Sequence, residues 1–358
     1  MNRNVLSRRV LAGVAIAALA LAGCSSKGDT TTDPSASADA SGVAALSGEL
    51  KASGASFPNT YYQEVILSLK DAAPNFKVTY NSVGSGTGKK EFGSGLVDFA
   101  GTDSTVKDTD GVPAGSYLYI PTVAAPITVS YNLKGVDKLQ LSPVTLAKIF
   151  QREIKTWNAP EIAADNPGVT LPATAISVAH RSDGSGTTNN FTKYLVAAAG
   201  AAWKLGSGDT VAWPADTQAG AKNTGVAQLI KAADGGIGYV DLSDAKDSGL
   251  PFVAIKNKDG QFVLPTLDGA TAALAGAELK DDLTFNPLNA AGATSYPITA
   301  PTYLLVKPKY DDPKKAELVK GFVKYLLTDG AAIAAEVNYA VLPADLQAKA
   351  LAQLDKVS

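Results

Sequence analysis

From about residue 50 to the C-terminus, short apolar runs alternate with segments of helical spacing. That alternation narrows the fold more than any other feature of the chain. The strand candidates are Lys77–Tyr80, Val97–Ala100, Ser116–Ile120, Ile127–Tyr131, Ala175–Ala179, Gly236–Val240, Phe252–Ile255 and Tyr303–Val306. Thr60–Ala72 carries apolar residues at helical spacing. Ser142-Pro143 heads Val144–Phe150, and Asp312-Pro313 heads Lys314–Leu327, which Asp329-Gly330 closes. A hydroxyl or carboxylate followed by proline marks a helix start, because the side chain caps a free N–H and proline has no N–H to leave unpaired. Ala344–Leu354 reads as a last amphipathic helix. The pattern predicts α/β layers with mixed, largely parallel sheets.

Three helix starts share one composition. Gly54-Ala55-Ser56-Phe57-Pro58 leads into Asn59–Lys70, with Ser56 at the capping position. Gly84-Ser85-Gly86-Thr87-Gly88 follows the strand at Lys77–Tyr80. Arg181-Ser182-Asp183-Gly184-Ser185-Gly186-Thr187 follows the strand at Ala175–Ala179 and precedes the run Asn189–Ala199. A helix start offers unpartnered N–H groups and a positive dipole end, and glycine lets a ligand approach the backbone. Arginine adds a planar fork of donors matched to an oxyanion edge. Taken singly, each start reads as an ordinary capped helix. Three together, one carrying Arg181, read as a socket for a small, densely charged anion, since ligands of open α/β sheets sit at the carboxyl ends of strands. Asp103, in Val97-Asp98-Phe99-Ala100-Gly101-Thr102-Asp103, reads on its own as a turn aspartate.

Several chemistries are disfavoured. A P-loop ending at Gly88-Lys89 needs Gly at 83 and Ser or Thr at 90, where the chain has Val83 and Lys90. The dinucleotide pattern fails because Gly84-x-Gly86 is followed by Lys89. One histidine and one cysteine make a zinc site of the usual type unlooked-for, and no cofactor is expected. A Ser-His-Asp triad could use only His180, whose alternation beside Arg181 points it away from that arginine toward a packing or solvent-facing role. Trp157, Trp203 and Trp213 read as core or surface residues. The net charge of −2 gives no reason to expect nucleic acid as a partner.

Residues 1–23 read as an export signal: Arg3, Arg8 and Arg9 precede the apolar Val10–Leu21, and Leu21-Ala22-Gly23-Cys24 resembles a lipobox. Cleavage before Cys24 and lipidation of its thiol are therefore expected. Residues 24–48, rich in Ser, Thr, Ala, Asp and Gly, read as a flexible tether.

Together the segments around Ser56, Ser85, Asp103 and Arg181–Thr187 resemble the phosphate-binding proteins of Pst-type ABC transporters. Lys155-Thr156-Trp157-Asn158, Asn166-Pro167-Gly168, Val211-Ala212-Trp213-Pro214 and Gly236-Ile237-Gly238-Tyr239-Val240 support the match, which runs from about Leu50 to the C-terminal helix. The resemblance implies a two-lobed, type II periplasmic-binding-protein fold, each lobe a mixed sheet flanked by helices, with a hinge between. Lobe I is expected at 49–124 and 298–358 and lobe II at 125–297, with crossings near Thr122–Pro126 and Tyr296–Thr302. It further implies that Ser56, Phe57, Ser85, Asp103, Arg181, Ser185, Gly186 and Thr187 bind phosphate, and that Asp183 holds Arg181. Asp103 would accept a hydrogen bond from the proton that phosphate keeps near neutral pH and sulfate lacks. The expected protein is a monomeric, non-enzymatic receptor at the outer face of the cytoplasmic membrane. Its lipid on Cys24 anchors it there, and it delivers phosphate to the permease subunits of an ABC importer. A receptor for another oxyanion such as sulfate, or a secreted phosphatase, is the alternative.

Overall fold

The structure, a computed structural model, describes residues 41–358. The expected export signal, Cys24 and the expected tether up to residue 40 lie outside the described residues. The strands are β1 (Gly48–Gly54), β2 (Phe76–Ser82), β3 (Phe99–Thr102), β4 (Leu118–Asn132), β5 (Leu139–Leu141), β6 (Ser177–Arg181), β7 (Gln218–Gly220), β8 (Gly236–Asp241), β9 (Val253–Lys256), β10 (Phe262–Val263), β11 (Thr299–Val306) and β12 (Ala340–Val341). The large sheet has the order β2-β1-β3-β11-β4-β8-β6-β7, with β12 also paired to β4. A small sheet has the order β10-β9-β5.

The sheet is mixed, but its centre is not parallel as the alternation suggested. β1 runs parallel to β2 and β3 on one flank, and β6 parallel to β8 and β7 on the other. Between them β3–β11, β11–β4 and β4–β8 are all antiparallel. The cause is β4. The two strands expected at Ser116–Ile120 and Ile127–Tyr131 are one continuous strand, which carries the chain straight from one flank to the other without a crossover helix. Pro121 and Pro126 suggested a break. Yet over this stretch the edge of β4 turned away from β11 is paired only at Val123 and Ala124, so prolines are tolerated. β4 pairs with β11 up to Pro126 and with β8 from Ile127 onward.

β1 was not expected, because Gly-Glu-Leu-Lys-Ala-Ser-Gly lacks an apolar run. It is nonetheless paired on both edges, and its last three residues are buried. The tether expected through residue 48 is folded at its end: Ser41–Ala44 form a helical turn, and Leu46 is buried against Gly321.

Helices Asn59–Ala72, Ser85–Gly93 and Gly186–Ala199 begin just past the carboxyl ends of β1, β2 and β6. The first buries Tyr61, Tyr62, Val65, Ile66 and Leu69 at helical spacing against the sheet. Each such large apolar side chain contributes roughly 1.5–3 kcal/mol when fully buried. Tyr61 and Tyr339 pack 6.0 Å apart behind the Ser56 turn, and the Tyr339 hydroxyl donates to the Phe57 carbonyl at 2.6 Å. The three helix starts are thus fixed from behind by core. Among the described residues no helix is long and apolar enough to cross a membrane.

Candidate functional site

The three turns meet. Ala55 N donates to Gly101 O at 2.9 Å and Gly84 N to Gly54 O at 2.8 Å, which ties the Ser56 turn to both the Ser85 turn and the strand leading to Asp103. Gly86 N donates to Gly184 O at 2.9 Å, joining the Ser85 turn to the Arg181–Thr187 segment. Gly186 lies against Asp103 and Ser85: a Cβ built on it would fall 2.6 Å from both Asp103 Cβ and Ser85 Oγ. Gly84, at φ 90°, would place a Cβ 2.3 Å from Asp183 Oδ2. No side chain larger than hydrogen fits at either position in this arrangement.

The serines do not share one role. Ser185 is a true cap, its Oγ accepting from Thr188 N at 3.0 Å. Ser85 is the first helical residue, capped by Gly84, and its Oγ donates to Asp103 Oδ2 at 3.4 Å. Ser56 does not cap its helix, as its position had suggested; Pro58 holds that place without a side-chain bond. Ser56 Oγ is buried and has no hydrogen-bond partner among the described residues. A buried hydroxyl left so costs roughly 1–3 kcal/mol, and no protein group among the described residues offsets that cost at Ser56.

Arg181 is 4% exposed. Its Nε donates to Asp183 Oδ1 at 2.8 Å and an Nη to Asp183 Oδ2, a bidentate fork. The other Nη donates to Thr187 Oγ1 and to Asn223 Oδ1, both at 3.4 Å. Burial alone would push the Asp183 carboxyl up, but the Arg181 fork and its charge, with the Lys222 N–H, hold it below the ordinary carboxylate value. Arg181 therefore enters the site with its charge largely balanced, and the remaining donors are neutral dipoles.

Asp103 has the opposite character. Burial pushes its carboxyl up to about 7, against the Thr302 hydroxyl, the Arg181 charge and the Ser85 hydroxyl, which favour ionisation. Thr302 Oγ1 donates to Asp103 Oδ1 at 2.7 Å, and Asn190 Nδ2 to Asp103 O at 2.6 Å. The acid is fixed from both sides and sits near its protonation midpoint at neutral pH.

The sequence reading missed several supporting residues. Thr302 reaches Asp103 because β11 pairs antiparallel with β3, Tyr303 opposite Thr102, which sets Thr302 beside Asp103 just past the end of β3, a register that no spacing in the sequence announces. Asn190 lies on the helix whose start alone was read, and Asn223 on a helix, Lys222–Ala232, that the sequence reading did not single out. Lys89, weighed only as a P-loop lysine, is fully buried and pairs with Asp110 at 2.7 Å and Asp209 at 2.9 Å. His180 is buried, which settles the two roles left open in favour of packing; it stacks on Trp213 at 4.9 Å, with Nδ1 donating to Arg181 O at 2.9 Å.

Comparison with known proteins follows this geometry. Residues 39–330 match the PBP superfamily domain. The chain is 34% identical over 330 residues to the phosphate-binding protein PstS of Xylella fastidiosa strain 9a5c, covering 90% of this chain and 88% of that protein. It is 35% identical over 308 residues to PstS of Haemophilus influenzae, covering 84% and 91%. It is 33% identical over 361 residues to PstS2 of Mycobacterium bovis BCG, covering 96% and 97%. Among solved structures, the high-affinity periplasmic phosphate-binding protein PfluDING, bound with phosphate, superposes with a TM-score of 0.70 at 23% identity, covering 85% of this chain and 93% of that one. That likeness carries the fold: a two-lobed periplasmic-binding-protein architecture with mixed sheets and flanking helices. From the matched domain and the extent of these identities, the chain belongs to the PstS family of phosphate-binding proteins.

Proposed function

We propose that the chain is an extracytoplasmic receptor that captures inorganic phosphate between two lobes and hands it to an ABC importer. The lobes are 49–124 with 298–358, and 125–297. The exchange of β4's partner at Pro126 and Ile127, opposite the start of β11 at Thr299, supports hinge strands there. Ser56, Phe57, Ser85 and Asp103 would contribute from lobe I, and Arg181, Ser185, Gly186 and Thr187 from lobe II, with Asp183 orienting Arg181. A lipid on Cys24 and a tether would hold the protein at the outer membrane face as a monomer.

The observation that carries this reading is the joint placement of Asp103 and Arg181 among oriented dipoles. Arg181 and the helix starts favour a small oxyanion, while a carboxylate at 103 repels one that brings no proton. Two unit charges 4 Å apart interact by about 4 kcal/mol at an effective dielectric of 20. A phosphate that keeps a proton converts that repulsion into a hydrogen bond; sulfate cannot. The named ligands of the PstS relatives agree with this chemistry.

The test is titration calorimetry of the anion-freed protein with phosphate and with sulfate at pH 8. Tight phosphate binding with sulfate weaker by orders of magnitude is expected. Equal affinity would sink the reading in favour of a general oxyanion receptor. Turnover of a phosphate ester would favour an enzyme.

A further inference from the structure

Beside the proposed phosphate site lies a cavity of about 190 Å³ whose walls include Asp103, Thr105, Asn190, Lys193, Lys280 and Thr284. At ~30 Å³ per water, it holds roughly six waters, or one tetrahedral anion with part of its hydration shell. It draws on the helix that begins at Gly186 and on segments packed around Asp103. Gly186, Asn190 and Lys193 stand at i, i+4 and i+7 on that helix, one stripe of its surface. Gly186 touches Asp103, Asn190 bonds the Asp103 carbonyl, and Lys193 lines the cavity beyond.

Two lysines, Lys193 and Lys280, line the cavity with one acid, Asp103. Lys193 is only partly exposed, and among the described residues Lys193, Lys280 and the nearby Lys107 form no ion pair within 4.0 Å. The acids that could serve are engaged elsewhere: Asp110 and Asp209 pair with Lys89, and Asp282 accepts the Thr284 N–H and hydroxyl. Burial, then Lys107, opposed by Asp209, then Lys89 and Lys280, together hold the Lys193 ammonium below its ordinary value. Lys193, partly buried and held by no ion pair among the described residues, faces the cavity with the exposed Lys280, and the two make the space beside the Asp103 carboxyl electropositive.

We propose that this cavity is a second, low-affinity oxyanion subsite, in which Lys193 and Lys280 hold a divalent tetrahedral anion one step outside the Asp103 site. Lysine ammonium groups are compact, non-directional charges, so the subsite takes phosphate and sulfate alike. Charge is sorted outside and protonation inside. The position of this subsite on the route of capture rests on reading the cleft as the phosphate site; its affinity for anions does not.

The experiment has two arms on the full chain. In the first, backbone amide NMR shifts of Lys193 and Lys280 are followed during sulfate titration, with Lys193→Gln and Lys280→Gln as comparisons. A saturable shift with a midpoint on the order of 1 mM, reduced at least about fivefold in each variant, is expected. No saturable shift up to about 50 mM, or one that survives both substitutions, overturns the subsite. In the second arm, stopped-flow phosphate association is expected to slow about threefold or more in the variants, with dissociation unchanged. Unchanged association removes the subsite from the route. If wild-type protein binds no phosphate, the cleft reading fails while the sulfate arm still decides the subsite.

Discussion

Lys89 Nζ lies 2.9 Å from Asp209 Oδ2, with the lysine side chain fully buried and the two residues contributed by opposite sides of the proposed cleft. Lys89 follows the Ser85 turn. Asp209 accepts Ser185 N at its carbonyl and Asn189 Nδ2 at its carboxylate, so it also steadies the helix start on the far side. Ser104 Oγ donates to the same aspartate at 3.1 Å. Of these contacts, Lys89–Asp209 and Ser104–Asp209 are the ones that join the two sides of the proposed cleft.

Asp209→Asn is expected to raise the phosphate dissociation rate by about tenfold to a hundredfold and to leave association nearly unchanged. Breaking a buried pair costs about 3–5 kcal/mol when the survivor is stranded, but Lys89 keeps Asp110 at 2.7 Å, so the loss is smaller. Stopped-flow dissociation measures it, and an unaltered rate would show that the bridge does not hold the closed form.

Arg181→Ala is expected to weaken phosphate binding by about two to three orders of magnitude, since it removes the guanidinium and strands Asp183 as an unpaired carboxylate. Arg181→Lys restores charge but not the fork, and its affinity falls between the two. Calorimetry ranks the three proteins. A lysine variant equal to wild type would reduce the arginine to a point charge.

Asp103 makes selectivity depend on pH. Its carboxyl in the free protein sits at about 7 through burial. Protonated, it can donate to sulfate; ionised, it repels it. Sulfate affinity is therefore expected to be highest below pH 7 and to fall up to about tenfold per pH unit above it, with Asp103→Asn abolishing the slope. Stability carries the same sign. The folded value lies above the ordinary 3.8, so the stability Asp103 contributes is complete below that pH and is lost as pH rises through about 7. Thermal melts of ligand-free Asp103→Asn against wild type are expected to favour the variant at pH 8 more than at pH 5.

The layered α/β class and most long elements were legible, because helices such as Asn59–Ala72 and Pro313–Leu327 carry apolar stripes with clear start signals. The helix starts at Ser85 and Ser185 were legible too, since glycines and serines ahead of helices are local patterns. What sequence did not reveal is non-local. β1 gains its place from pairing on both edges, and β4 runs through two prolines because one of its edges is sparsely paired there. Thr302 reaches Asp103 through the antiparallel β3–β11 register, and Lys89 meets Asp209 across 120 positions of sequence. The role of Ser56 was also misread locally: position suggested a cap, whereas burial without a partner shows a hydroxyl free of that duty.

That hydroxyl separates a binding role from a structural one. In the ligand-free protein an unpartnered buried Oγ costs about 1–3 kcal/mol, so Ser56→Ala is expected to leave the melting temperature unchanged or to raise it. A residue kept for the fold would behave oppositely. Phosphate affinity of the same variant is expected to fall about tenfold or more, the loss of one hydrogen bond to a charged group at roughly 1.5–3 kcal/mol. Differential scanning calorimetry and phosphate titration on one preparation give both quantities. A variant that melts lower while binding phosphate as tightly would place Ser56 in the scaffold and remove it from the site.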